Sequence, residues 1–234
     1  MVWLAAGFFA RKSVSLTGAA VFGSLAALST VMLPARIQPA FPIMPFLRFD
    51  PVEIFSVLAF LVFGPVSAII AASVHWLFLT LTSTGSTGPL GPAVKFASVV
   101  SMLIGLWLGS ALYQRFLGAH RNMIAALGTM LSFAIAVRVG LLLVVNYFVF
   151  TYIGPVIFNI QYIEFSQRTL EATLGLRFVN PWAVVAAMLF YTSIFNGMHA
   201  AFSVVIPYFI FTPLSLRIPE IASGHPWISR FTTK

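Results

Sequence analysis

Three polar side chains inside apolar runs are the residues of this chain best suited to chemistry. Asn146 lies near the end of one long apolar run, and Asn196 precedes His199 by three residues in another. Amides and imidazoles both donate and accept hydrogen bonds, and a spacing of three puts two residues on one helical face. Such groups recognise a ligand or join neighbouring helices, which in membranes contributes about 0.6 kcal/mol on average. His75, beside Trp76, is expected to join neighbouring helices and not to bind a ligand.

Motifs that would indicate catalysis are missing from the sequence. It contains no cysteine, no H-E-x-x-H pattern and no G-x-x-x-x-G-K-[ST] phosphate loop. Serine and threonine are plentiful, but none has an evident base beside it. We therefore predict that the chain is not an enzyme, does not hydrolyse ATP, and holds neither a metal nor a cofactor.

Arg138 lies near the middle of an apolar run long enough to cross a membrane. A charge at that depth is expensive and usually has a role. No acid is expected at comparable depth, so the predicted partners are helix carbonyls, hydroxyls such as those of Thr80 or Ser101, or a water-filled cleft. We predict a structural anchor, with substrate contact or coupling to partner subunits as alternatives.

The overall composition identifies the elements that must position these residues. The chain is 60% hydrophobic and 8% charged, with a mean hydropathy of +0.99, which is typical of a polytopic membrane protein. Its 234 residues accommodate roughly six spans of about 20 residues with their connections, and no second domain. We predict an all-α membrane protein, multi-pass in the cell membrane, with one domain over 1–234.

Apolar runs predict six transmembrane helices. They cover about 13–33, 51–64, 65–82, 93–114, 122–152 and 193–213. The second is too short to cross about 30 Å alone at 1.5 Å per residue. The last apolar block, 181–213, would be about 50 Å long as one helix. We therefore assign 181–192 to an outer surface segment.

A proline-rich loop from Phe41 to Asp50 connects the first two spans. Its prolines stiffen an extended segment, and its many apolar side chains predict that it folds back over the bundle as a lid. Asp50 is placed to accept a backbone N–H at the start of the second helix. Pro51 suits the first helical position, and Glu53 suits the positive end of the helix dipole.

The basic residues that give the net charge of +8 are distributed as expected for a membrane protein, with an excess on the cytoplasmic side. With a cytoplasmic N-terminus, the inner side collects seven basic residues against one acid, and the outer side five against four. We predict that both termini are cytoplasmic and that the proline-rich loop is outside. Anionic headgroups explain the surplus charge, so the expected partner is membrane lipid and not nucleic acid. Arg168 and Glu171 are expected to pair on a short surface helix.

Three stretches of the sequence carry a family pattern. They are FPIMPFLRFDPVEI followed by VFGP, the NYF at 146–148, and FNGMH at 195–199, where the family has FN-x-x-K. Together with the six-helix layout, they resemble the S-components of energy-coupling factor vitamin transporters, especially the riboflavin-specific type, over about 13–213. The chain departs from the family at His199, which replaces a lysine, and at Lys95-Phe96, where an Asn-Phe pair is expected. Residues 153–192 also form a longer region than usual.

The resemblance implies a substrate-binding membrane subunit that captures riboflavin from outside. Riboflavin would be a transported substrate and not a cofactor. The energy would come from a transmembrane coupling protein and two ATPase subunits. S-components for another vitamin, such as pantothenate or thiamine, are an alternative. A stand-alone secondary transporter is a further one, although two similar halves are not visible.

A site at the outer end of the bundle follows from this resemblance. Asn146 and Asn196 would lie at one depth and bind the polar edge of a flavin, with His199 one turn deeper. Side chains of the proline-rich loop would close over the ring, and a glycine would let the backbone approach it. The predicted ligand-binding residues are Asn146, Asn196, His199, Phe46, Leu47 and Gly91.

Small residues recur at spacing four in the first span, at Ala19, Gly23 and Ala27. Such a stripe lets helices approach closely. We interpret it as a docking face for the coupling protein. The alternative is that it packs the first span against its own bundle.

Overall fold

Helices make up most of the computed structural model, which describes residues 15–32, 38–82, 89–116, 122–157, 161–217 and 227–231. The elements in chain order are α1 (Leu16–Met32), β1 (Ala40–Phe41), β2 (Met44–Arg48), α2 (Glu53–Phe63), α3 (Pro65–Thr82), α4 (Leu90–Phe116), α5 (Met123–Phe148), a π-helical turn (Val149–Ile153), α6 (Gly154–Ile157), α7 (Gln161–Leu174), α8 (Pro181–Arg217) and a 3-10 turn (Trp227–Phe231). The predicted helical class is confirmed, and a β-hairpin is added to it. The start of the predicted first span, at 13 and 14, lies outside the described residues.

Four helices of the described chain are long and apolar enough to cross a membrane. They are Pro65–Thr82, Leu90–Phe116, Met123–Ile157 and Pro181–Pro213, and they coincide with the predicted third to sixth spans. The first two predicted spans are apolar helices of 17 and 11 residues. The count of six spans and the cytoplasmic position of the termini stay predictions.

The last helix, α8, runs without interruption over 37 residues, which corrects the predicted break between 192 and 193. The segment 181–192 contains no glycine, and its only proline is the first helical residue, where proline is tolerated. Pro207 and Pro213 lie inside α8 without ending it. The separate surface helix is α7.

The predicted surface helix carries different polar contacts from those expected. Arg168 lies 3.8 Å from Glu164 and does not pair with Glu171. Glu171 accepts hydrogen bonds from the backbone N–H of Phe178 at 3.0 Å and from the amide of Gln167 at 2.8 Å. These two donors hold the pKa of Glu171 below its ordinary value. Glu171 therefore ties the end of α7 to the segment that leads into α8.

The proline-rich loop forms an antiparallel hairpin in which Phe41 pairs with Met44. Both side chains are buried. The rings of Phe41 and Phe49 lie 5.7 and 4.9 Å from the ring of Phe195 on α8. The loop is extended, as predicted, and aromatic contacts hold it on α8. Its action as a lid stays a prediction.

The second helix, α2, is short and buried. It begins at Glu53, two residues later than the predicted Pro51. Asp50 accepts a backbone N–H at the helix start at 2.9 Å, as predicted. Gly64 ends the helix with a φ of 95°, a conformation that favours glycine. A Cβ on Gly64 would also lie 2.8 Å from Cδ1 of Trp227, so the turn into α3 has no room for a side chain.

The small residues of α1 face the bundle. Ala19 and Ala27 are buried, and a Cβ on Gly23 would lie 2.7 Å from Cβ of Val74 and 2.9 Å from the carbonyl oxygen of Ala71. The stripe is therefore buried inside the chain, and at Gly23 it packs against α3, which supports the alternative interpretation. A role in docking the coupling protein stays a prediction.

Candidate functional site

A cavity of about 610 Å³ lies between the hairpin and helices α4, α5 and α8. The residues predicted to bind ligand all line it: Phe46, Leu47, Gly91, Asn146, Asn196 and His199. The charged residues that line it lie outside the predicted ligand set and are Arg48, Asp50, Glu53, Lys95 and Arg138. The ligand contacts themselves stay predictions, but the structure brings the predicted residues together.

The two asparagines enter the cavity from facing helices. Asn146 continues the buried face of α5, which repeats every four residues through Arg138 and Leu142. Asn196 lies on α8, one turn beyond Thr192, which also lines the cavity. Asn146 is 6% exposed and Asn196 5% exposed. No described residue forms a hydrogen bond with either side-chain amide, so both are open to a ligand.

His199 is held by the protein at both ring nitrogens. Its Nε2 lies 3.1 Å from the backbone oxygen of Asp50, and its Nδ1 lies 3.2 Å from Nη2 of Arg138. A carbonyl only accepts and a guanidinium only donates, so this geometry assigns the neutral ring with its proton on Nε2. The rings of Phe49 and Phe195 pack against it at 5.7 and 5.3 Å. His199 therefore reaches a ligand only by exchanging one of these partners.

Arg138 pairs with Glu53, which corrects the expectation that no acid lies at its depth. Its Nη1 donates to Oε2 at 2.5 Å and its Nη2 to Oε1 at 3.2 Å. Both side chains are 1% exposed. The hydroxyl of Ser203 on α8 donates to Oε2 of Glu53 at 3.1 Å. The pair joins α2, α5 and α8, which fits the predicted role of a structural anchor.

A second ion pair, Lys95 of α4 with Asp50, closes another side of the cavity. Asp50 is tied down further, because its Oδ1 accepts the N–H of Val52 at 2.9 Å. Beside Lys95, the ring of Phe96 stacks on Trp76 with centroids 5.0 Å apart. Lys95 is thus held in place on α4 with its ammonium at the cavity wall.

The predicted layout is compatible with one of these two ion pairs and does not indicate the other. In the predicted layout, Asp50 ends the outer loop and Lys95 lies near the outer start of the fourth span, so a contact between them is compatible with it. Glu53, three residues after Asp50, is predicted at the same outer level. The hairpin packs into the bundle and brings the start of α2 inward, and no pattern in the sequence indicates that depth.

His75 packs between helices, as predicted. Its Nε2 lies 2.9 Å from Oγ1 of Thr30 on α1, and the ring is 4% exposed. Thr30 donates its own proton to the carbonyl of Ala26 at 3.0 Å, so it accepts from His75. This histidine joins α3 to α1 and does not line the large cavity.

The arrangement suits a flat ligand held by hydrogen bonds and ring contacts. Phe46, Phe150, Phe165 and Phe195 supply aromatic wall, and the two amides supply donors and acceptors. The two ion pairs cancel in charge, and Arg48 of the hairpin adds a basic side chain to the lining. Within the described ranges, no cluster of three His, Asp or Glu side chains could hold a metal ion. The rings and amides of the wall can recognise a ligand. Among the described residues that line it, none resembles a nucleophile with its base.

No family model and no curated protein matches this sequence. A solved structure of the S component of a bacterial ECF transporter is similar in fold, with a TM-score of 0.55 and 22% sequence identity. The similarity covers 86% of this chain and 95% of that chain. The chain therefore has the fold of that S component over nearly the whole length of the latter.

Proposed function

We propose that this chain is the substrate-binding subunit of an energy-coupling factor transporter and that its substrate is riboflavin. One observation carries the proposal: Asn146 and Asn196 are buried, line one cavity and lack a partner in the described chain. A ligand that bonds to both amides gains affinity from each hydrogen bond, typically about 0.5–1.5 kcal/mol.

A flavin ring matches the chemistry of this wall. It has imide and ring-nitrogen groups along one edge, which suit amides, and apolar faces, which suit Phe46 and Leu47 of the hairpin. The cavity volume of about 610 Å³ falls in the range of about 300–1,000 Å³ that is common for small-molecule sites. Riboflavin is uncharged, and Lys95 and Arg138 already have Asp50 and Glu53 as partners, so these four charges need no counter-ion from the ligand.

Transport by this chain requires an external source of energy, because it contains no phosphate loop. The S-component fold supports a role as a capture subunit in the cell membrane. By resemblance, the partners are a transmembrane coupling protein and two ATPase subunits. Binding would take place from the outside, under the hairpin.

An absorbance and fluorescence spectrum of the purified protein tests the substrate. A yellow preparation that releases riboflavin on denaturation supports the proposal. A colourless preparation that also fails to quench the fluorescence of added riboflavin overturns riboflavin as the substrate. Calorimetric titrations with pantothenate and thiamine would then test the other vitamins.

A stand-alone secondary transporter is the second candidate, favoured by the buried charges of Arg138 and Glu53. Ionisable groups inside a membrane often mark ion pathways. Proteoliposomes that contain only this chain separate the two functions. A capture subunit binds riboflavin there without moving it. Uptake down a gradient, without partners and without ATP, would favour the carrier.

A further inference from the structure

His199 connects the end of the proline-rich loop to the buried ion pair of the bundle. Its Nε2 donates to the backbone oxygen of Asp50 at 3.1 Å, and its Nδ1 accepts from Nη2 of Arg138 at 3.2 Å. The same Nη2 also donates to Oε1 of Glu53 at 3.2 Å. One ring therefore joins the loop to the cluster that connects α2, α5 and α8.

The ring of His199 is enclosed on its other sides as well. Phe49 and Phe195 pack against it with centroids 5.7 and 5.3 Å away, and His199 is 5% exposed. Its Nε2 also lies 3.6 Å from Oε1 of Glu53, which is too long for a good hydrogen bond. Both ring nitrogens are thus occupied by the protein, and a ligand in the cavity meets no free polar atom on His199.

A lysine at position 199, which the family resemblance leads one to expect, could not make these contacts. An ammonium donates hydrogen bonds but accepts none, so it would place a second positive charge against Nη2 of Arg138. Burial makes such a repulsion stronger than in water. A neutral imidazole has one donor and one acceptor, which match the carbonyl of Asp50 and the guanidinium of Arg138. Histidine at this position therefore suits a contact within the protein.

Resting on the proposed function, we propose that His199 is a positioning residue for the ligand site and does not contact the ligand itself. It holds the backbone of Asp50 against Arg138, and the side chain of Asp50 in turn contacts Lys95 on α4. The hairpin side chains that line the cavity lie directly before Asp50 in the chain. Their position over a bound riboflavin then depends on His199 through the end of the loop.

Hydrogen exchange of the ligand-free full chain tests this positioning directly. The N–H of Phe49 donates to the carbonyl of Pro39, and the N–H of Val52 donates to Oδ1 of Asp50, both at 2.9 Å. These two amides report on the loop on either side of Asp50. His199→Leu removes both hydrogen bonds of the ring and keeps an apolar side chain between its aromatic neighbours. We expect both amides to exchange roughly tenfold faster, the effect of about one net hydrogen bond.

Two variants separate the hydrogen bonds from general damage. His199→Gln has one amide donor and one carbonyl acceptor, so it should keep the exchange rates near those of the wild type. His75→Leu is the matched control, because His75 is also buried and joins two helices through Thr30 at 2.9 Å, away from the large cavity. It should leave the two loop amides unchanged. An equal acceleration in His75→Leu would show that the whole bundle loosens and would overturn the specific role of His199.

Nitrogen NMR of the wild type, labelled in its histidine rings, tests the proposal even if His199→Leu does not fold. The signals of His199 are those that disappear in His199→Gln. We expect a neutral ring with its proton on Nε2, which is the form that accepts from Arg138 and donates to Asp50. A proton on Nδ1 would overturn the proposal.

The rate of riboflavin release separates this inference from the proposed function. We expect His199→Leu to release riboflavin roughly tenfold faster, measured by recovery of flavin fluorescence, and His199→Gln to stay near the wild type. Faster release with unchanged exchange of the loop amides would make His199 a direct ligand contact and overturn the positioning role. If the wild type binds no riboflavin but the loop amides respond, His199 positions the loop and the proposed substrate is wrong.

Discussion

Arg138 and Glu53 form a bidentate ion pair across a sequence separation of 85 residues. The pair lies at the inner end of the cavity and connects α5 to the start of α2. Ser203 adds α8 to the same cluster. Three helices that carry cavity residues are thus connected at one cluster of buried polar groups.

Loss of one partner of this pair should destabilise the whole bundle. Glu53→Ala leaves a buried guanidinium without its counter-ion, a change that typically costs about 3–5 kcal/mol. The measurement is thermal unfolding in detergent, followed by circular dichroism. Glu164→Ala breaks an exposed pair instead, and we expect little or no change there. Equal unfolding temperatures for the two variants would contradict the anchoring role.

Truncation of a cavity amide should weaken riboflavin binding without unfolding the protein. Asn196→Ala removes a ligand partner from α8, and the expected loss is about 1–3 kcal/mol, since the flavin edge is left unpaired. Isothermal titration calorimetry measures it. Asn180→Ala is a matched control, because Asn180 only accepts the N–H of Ala183 at the exposed start of α8. Unchanged affinity in Asn196→Ala would remove Asn196 from the site.

A substitution at the contact between α1 and α3 should lower the stability of the protein. Gly23→Leu forces a side chain against Val74 and the carbonyl of Ala71, and overpacking of this kind costs about 1–3 kcal/mol. Ser24→Leu, on the exposed face of the same helix, should be tolerated. Size-exclusion chromatography after heating compares the two variants. If Gly23→Leu is as stable as the wild type, the packing of α1 on α3 is wrong.

The contact between α7 and the segment before α8 should depend on pH through Glu171. The N–H of Phe178 and the amide of Gln167 stabilise the carboxylate, which lowers the pKa of Glu171. Stabilisation from a lowered pKa is complete above the ordinary value for glutamate and is lost as the pH falls toward the folded value. The Phe178 amide should therefore lose protection from hydrogen exchange in acid, after correction for the intrinsic rate. Glu171→Gln should show no such pH dependence.

Much of the cavity lining could be predicted from the sequence, while its role in binding a ligand stays a prediction. Asn146 and Asn196 lie in strongly apolar helices, where an amide is rare enough to stand out, and three-residue spacing predicts that His199 shares a face with Asn196. That relation holds whether or not α8 is broken at 192, so the wrong break did not move Asn196 out of the cavity. Phe46 and Leu47 of the hairpin line the same wall, as predicted from their apolar character, although Phe46 keeps 40% of its surface exposed.

The depth of Glu53, and therefore its pairing with Arg138, could not be predicted in the same way. Counting along a helix places a residue correctly only when the helix begins at the membrane surface, and α2 begins inside the bundle because the hairpin packs on α8. Glu53 therefore meets Arg138 at a depth where no acid was expected. The partner of a small-residue stripe is equally ambiguous, since Gly23 would suit α3 and a separate protein equally well.

Asp50 makes contacts through three different atoms. Its Oδ1 accepts from Val52, its other carboxylate oxygen contacts Lys95, and its backbone oxygen accepts from His199. These contacts end on α4, on α8 and at the start of α2. Asp50 therefore couples the position of the hairpin's end to α4, to α8 and to the start of α2 at once.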